Sequence, residues 1–198
     1  MPQIDRFAVL SNQVKGRFPR FSVTERDKSW LRRIFWLLKK VTRQDYSSFT
    51  TTIFSTMYVG SDWGSSSSAS KYKTLRHEMK HIDQFHRWPL GRWAWPVNHV
   101  LMGLAYLLIL PIIWTLRAKF EREGYTQSLL VEFELNGAFS DRRMEENARW
   151  MADTFGGSAY LFMWRKKAAY AWAMETQRKI SAGEISNPQD RVDAPRAA

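Results

Sequence analysis

The 198-residue chain contains no cysteine. Disulfides, thiolate nucleophiles and sulfur-ligated metals are therefore excluded, and any metal must sit on imidazole, carboxylate and water. Histidine is scarce too, at four residues, so a histidine-based site draws on a very small pool. Acid is in deficit: 19 Asp and Glu face 30 Lys and Arg, a net charge of +11. This balance favours an anionic membrane surface, nucleic acid or acidic partners, but it determines neither fold nor function. No apolar run ending in a small-residue cleavage site opens the chain, so no cleavable signal is expected, and the expected location is cytoplasmic or peripheral to a membrane. A phosphate-binding glycine loop, a nucleophile elbow and internal repeats are also missing, which removes nucleotide-binding and serine-hydrolase readings.

What is present reads as one domain, large enough for a core without cross-links. Residues 1–21, with Gly16 and Pro19, read as an irregular lead-in. Ser22-Val23-Thr24-Glu25 has the form of a capping box, and a helix over 23–43 is expected after it. That helix would bury Trp30, Leu31, Ile34, Phe35, Leu38 and Val41 and expose Arg26, Lys28, Arg32, Arg33, Lys39 and Lys40. "SSFTTTIFSTMYV" at 47–59 is β-branched and aromatic and reads as one or two strands. Residues 60–70 read as a flexible polar loop. Helices are expected over 71–87, from 112 to Leu135 with a stop at Asn136-Gly137, from Ser140 to Phe155, and from Ser158 to Ile180. The run 97–116 carries no formal charge and is long enough to cross a bilayer. Pro111 divides it, which favours a buried hairpin or a membrane-touching surface over a span. Residues 181–198 read as a disordered tail. The fold class is α+β: mostly helical, with a small sheet before the helix of 71–87.

That helix carries His77-Glu78-Met79-Lys80-His81. Residues i and i+4 share a helix face, so both imidazoles can meet one ion, while Glu78 lies about 100° round the axis and borders the same cleft. A zinc site needs this division: neutral imidazoles hold the ion and a free carboxylate takes a proton from water. The plain alternative is a charged stripe whose Glu and Lys pair with neighbours. A third ligand decides between them. His86 follows His81 by five positions, and Gln84 stands where an extended metzincin pattern wants glycine. His99 has apolar neighbours suited to a core histidine. The better candidate lies in "RAKFEREGYTQ" at 117–127, unless its acids simply pair with bases on a surface helix.

Glu121-Arg122-Glu123-Gly124-Tyr125 resembles the second-helix signature of gluzincins, the zinc peptidases with two histidines and one glutamate. The order of parts over 22–135 is similar to that in small bacterial gluzincin-like proteins of poorly known function, with weaker similarity at "FGGSAYLFMW". The resemblance implies a zincin-like domain over 22–180 that binds one Zn2+ through His77, His81 and Glu121. Glu123 is the runner-up ligand. It further implies that Glu78 is the general base and that Gly124 lets the second helix approach the first. Tyr125 stands where thermolysin-like enzymes carry an aspartate that orients a zinc histidine, so that orienting role is left unfilled at this position. The strand before the histidine helix is expected to bind peptide backbone along its edge. Tyr160 is the expected donor to the tetrahedral intermediate, with Tyr125 and His99 as alternatives.

The function implied is zinc-dependent metallopeptidase, acting on a protein or peptide substrate. The competing expectation is a basic, aromatic-rich protein that binds membrane or nucleic acid and has a structural or vestigial metal site. A third is an integral membrane peptidase spanning at 97–116. Trp88, Trp93 and Trp95 either wall an apolar pocket or serve packing.

Overall fold

Phe7, Leu10, Val14 and Phe18 recur at intervals of three or four, the spacing of one helix face. They line the buried side of α1 (Arg6–Arg17) and the residue that ends it. A computed structural model describes residues 5–29, 32, 33, 36, 40, 50–87, 94, 97, 101, 111–157, 160 and 162–186. The expected irregular lead-in is thus corrected. Asp5 caps α1 by accepting from the Phe7 and Ala8 amides at 3.1 and 3.2 Å, and it also accepts from the Ser68 hydroxyl. One carboxylate therefore ties two helix starts together.

The capping-box expectation is also overturned. Ser22–Glu25 form strand β1, followed by a short 3-10 turn, Arg26–Lys28. β2 (Thr51–Ile53) and β3 (Thr56–Val59) follow as a hairpin, and the sheet order is β1-β3-β2. β1 lies parallel to β3 with Val23 opposite Met57, and β2 lies antiparallel to β3 with Thr52 opposite Met57. Val23 and Thr24 are β-branched and suit a pleated surface better than a helix start. Of the helix expected over 23–43, Arg32, Arg33, Trp36 and Lys40 are helical and exposed, whereas Arg26, expected in solvent, is 2% exposed. The expected apolar stripe Trp30, Leu31, Ile34, Phe35, Leu38 and Val41 lies outside the described residues.

The serine-rich segment 60–70 is less of a loop than its composition suggests. Ser61–Trp63 form a 3-10 turn, and α2 (Ser68–Arg87) begins three residues early because the Ser67 hydroxyl accepts from the Ser70 amide at 3.1 Å. α3 (Pro111–Asn136) starts at its proline, which lacks only an amide that a first turn leaves unpaired anyway. It stops at Gly137, whose φ of +77° suits glycine and whose amide donates to Phe133 O at 2.7 Å. α4 (Asp141–Phe155) is capped by the Ser140 hydroxyl and ended at Gly156, as the sequence suggests. The last helix, α5 (Lys166–Ser181), begins eight residues later than expected from Ser158. The intervening segment instead sends Tyr160 and Met163 into the core.

Two cores result. α1, the sheet and α2 enclose Leu10, Val14, Met57, Val59, Tyr72, Leu75, Met79 and Ile82, joined by Val131 of α3. The other side of α3 packs with α4 and α5 around Leu129, Leu130, Met151, Phe155, Ala169, Ala173 and Ile180. The α2–α3 contact joins the two halves of a mostly helical α+β single domain. No helix among the described residues is long and apolar enough to cross a membrane, and most of 97–116 lies outside them, as does the expected tail beyond residue 186.

Candidate metal centre

Burial of Leu75 and Met79 in the sheet-side core turns the opposite side of α2 toward α3, because two positions rotate a side chain about 200°. That side carries Lys73, Arg76, His77, Lys80, His81 and Gln84, a helical stripe at intervals of three and four. Glu121, Gly124, Tyr125, Ser128 and Glu132 repeat the spacing on α3 and meet it. Lys73 bonds Glu132 at 3.1 Å, and Arg76 reaches Glu134 at 3.1 Å and Gln127 at 2.9 Å.

At the centre of this seam the His77 and His81 Nε2 atoms lie 3.1 Å apart, and Glu121 Oε2 lies 3.6 and 3.7 Å from them. The triangle has the size of one face of a coordination tetrahedron. Its mean edge times the centre-to-vertex ratio of a regular tetrahedron gives about 2.1 Å, the length of a zinc–imidazole or zinc–carboxylate bond. Gly124 makes this approach possible: a Cβ there would stand 2.8 Å from both Cε1 and Nε2 of His77.

The electrostatics describe a nest for a cation. Burial pulls the His81 imidazole toward its neutral form, but the Glu121 carboxylate, aided by the field of Glu78, outweighs burial and pushes its pKa up to about 9. Burial likewise raises the Glu121 carboxyl, yet His77 and His81 bring it well below the usual carboxylate range. A proton or a metal ion satisfies the same three atoms.

Glu78, the neighbour of His77, is 6% exposed and accepts from the Thr52 hydroxyl of β2 at 2.6 Å. The base candidate is thereby tied to the sheet rather than to the triangle. Tyr125 sets its ring edge-on to His77 at 4.7 Å, and its hydroxyl lies 2.8 Å from that of Tyr160. Tyr160 thus connects to the histidines through Tyr125, and the Arg117 guanidinium lies over its ring at 5.5 Å. Burial first, and then the charge of Glu121, push both phenols upward, so both stay protonated.

The structure therefore gathers His77, His81 and Glu121. Glu123 turns aside to Gln84 at 2.9 Å and Lys80 at 3.7 Å. His86 donates from Nδ1 to the Ile82 carbonyl at 2.8 Å, so it serves its own helix. His99, Trp88, Trp93 and Trp95 lie outside the described residues. Sequence reasoning missed three supporting groups: Thr52, Ser128, whose hydroxyl lies 3.4 Å from His77 Nδ1, and Gln84, whose Oε1 lies 2.9 Å from His81 Nδ1. Gln84 was visible as the i+3 neighbour of His81, but its partners on α3 were not. Compared with known protein families, curated proteins and solved structures, the chain matches none. Fold and cluster together define a helical α+β domain with a buried two-histidine, one-carboxylate centre.

Proposed function

We propose that the chain is a zinc-dependent metallopeptidase in which His77, His81 and Glu121 hold one Zn2+ and Glu78 is the general base. The observation that carries this reading is the triangle of two Nε2 atoms and one carboxylate oxygen, with edges of 3.1, 3.6 and 3.7 Å, beside a second, buried acid. Two imidazoles and a carboxylate leave a position free for water or substrate, as catalytic zinc requires. When bound, zinc supplies Lewis acidity that eases deprotonation of water and polarises a carbonyl.

The remaining work falls to the protein's own groups. Thr52 engages Glu78 Oε2 and steadies the carboxylate, which takes a proton from the attacking water and returns it to the leaving nitrogen. The protonated phenols of Tyr160 and Tyr125 serve as donors where charge develops on the carbonyl oxygen. Among the described residues β2 ends the sheet on one side, and Thr52 joins it to Glu78, so a peptide added along β2 would run past the base. The opposing reading, a membrane- or nucleic-acid-binding protein, rests on the +11 charge, the ten tryptophans and the uncharged run 97–116.

Elemental analysis of the purified protein, paired with peptide hydrolysis, tests the proposal. One zinc per chain is expected, with its loss in His81→Ala. Glu78→Gln is expected to keep the metal and lose roughly 10²- to 10⁴-fold in hydrolysis, the usual contribution of a general base. Zinc lost from Glu78→Gln would show the roles to be misassigned. Iron in place of zinc would overturn the peptidase reading, since the same donor set serves oxygen-activating iron.

A further inference from the structure

The two histidines of the centre are held unequally. His77 Nδ1 faces the Ser128 hydroxyl at 3.4 Å, a long contact to a group that can donate or accept and so favours neither tautomer. His81 Nδ1 faces Gln84 Oε1 at 2.9 Å, and Gln84 is 7% exposed. The amide has no freedom to turn over. Its nitrogen donates to the Phe120 carbonyl at 3.3 Å and to Glu123 Oε2 at 2.9 Å, and a reversed amide would set its oxygen against both acceptors. Gln84 Oε1 can only accept, so His81 must carry a hydrogen on Nδ1, and once neutral it presents the Nε2 lone pair to the triangle. Glu123, steadied by Lys80 at 3.7 Å, anchors the outer end of the chain.

We propose that Gln84 is the positioning residue that sets the metal affinity of this centre, by holding His81 as an Nε2 donor, with Glu123 as its anchor on α3. The inference rests on the metal-centre reading and assigns work to two residues that touch neither the ion nor the substrate. It also supplies the orienting partner left vacant where Tyr125 stands. Outer groups of this kind typically change metal affinity 10- to 100-fold. Their charge strengthens the inner hydrogen bond by polarising the amide between them. Gln84 further links α2 to α3 beside the triangle, so the same contact that aims His81 also holds Glu121 within reach of it.

Zinc affinity measured by competition with a chromophoric chelator, together with the His81 tautomer read from ring-nitrogen and Cδ2 chemical shifts, provides the test. Gln84→Met keeps the length of the side chain and removes both ends of the chain. It is expected to weaken zinc binding 10- to 100-fold and, in metal-free protein at a pH where the imidazole is neutral, to leave His81 a mixture of tautomers, whereas wild type then shows Nδ1–H alone. Ser128→Ala is expected to change affinity less than about 3-fold, because its contact with His77 is long. Should Gln84→Met fail to fold, Glu123→Ala replaces it, since Glu123 is half-exposed; a several-fold weaker affinity is expected, with Glu123→Gln restoring part of it. Wild-type affinity and a single His81 tautomer in folded Gln84→Met, or wild-type affinity in Glu123→Ala if that variant stands in, would overturn the assignment and leave the metal centre intact. A wild-type protein that binds no zinc would overturn both.

Discussion

Gly124 shows how a single hydrogen atom decides whether the centre exists. Alanine there would gain about 1 kcal/mol of helix propensity over glycine. Its Cβ would also meet His77 Cε1 and Nε2 at 2.8 Å, closer than carbon and nitrogen pack, between two helices locked by several polar bridges. Overpacking of this kind costs about 1–3 kcal/mol, so the clash wins. Gly124→Ala is expected to lower stability by about 1 kcal/mol net in urea titration. Zinc affinity should fall at least about 10-fold, because the displaced atom is the ligand itself. Unchanged affinity would mean that His77 swings aside freely. The pair His81–Glu121 yields a pH signature in the metal-free protein. His81 has a folded pKa of about 9 against an ordinary value of 6.5, so its contribution to stability is complete below about 6.5 and lost as pH rises through 9. Glu121 behaves oppositely: its pKa is lowered from 4.5, so its contribution is present above that pH and lost on acidification. Chelator-treated protein should therefore be most stable between about pH 5 and 6.5 with respect to this pair. His81→Phe should flatten the alkaline fall in a series of denaturation midpoints.

At the scale of elements, the α2–α3 seam is polar where most helix pairs are apolar. Arg76 is fully buried, and it bonds Tyr72 at 3.0 Å, Gln127 at 2.9 Å and Glu134 at 3.1 Å, while its Nε finds no partner. Removing one member strands the other, at a cost of about 3–5 kcal/mol, whereas replacing both with apolar groups is often neutral or better. Arg76→Leu is expected to cost at least about 3 kcal/mol, and adding Glu134→Leu should recover most of the loss in a double-mutant cycle. Additive losses would show the pair to be uncoupled. The seam also explains what the sequence could reveal. α2, α3 and α4 were legible because their signals are local: Ser140 before a periodic run, Gly137 and Gly156 after one, and the histidines four apart on one face. β1 was hidden because Ser22-Val23-Thr24-Glu25 imitates a capping box while its partner lies on β3, 34 residues away. α1 was masked because Gly16 and Pro19 give its end the composition of a loop, although Leu10, Val14 and Phe18 keep helical spacing. Within the site, Glu121 came from a motif. Gln84, Thr52 and Ser128 depend on which residues face them across the helix pair and the sheet, and no spacing along one strand of sequence records that.

For the whole molecule the decisive fact is where the three candidate ligands stand. His77 and His81 belong to the helix that closes the sheet-side core, and Glu121 belongs to the helix that also builds the α4–α5 core. An ion held by all three therefore clasps the two halves, and it binds only when they are assembled. Anything that binds the folded but not the unfolded chain stabilises it by mass action, about 2.7 kcal/mol at a hundredfold excess over Kd. For a domain of this size each kcal/mol moves the melting temperature by about 2–4 °C. Zinc at that excess should raise the midpoint by roughly 5–10 °C in a thermal scan, and a chelator should reverse the shift. Magnesium should do nothing, because it prefers oxygen ligands and retains its waters. His81→Ala should abolish the response and, near neutral pH, also lower the metal-free midpoint, since it removes a charged partner of the buried Glu121. A zinc-induced rise of the same size in His81→Ala would place the stabilising ion elsewhere on the molecule and dissolve the link between the two cores and the centre.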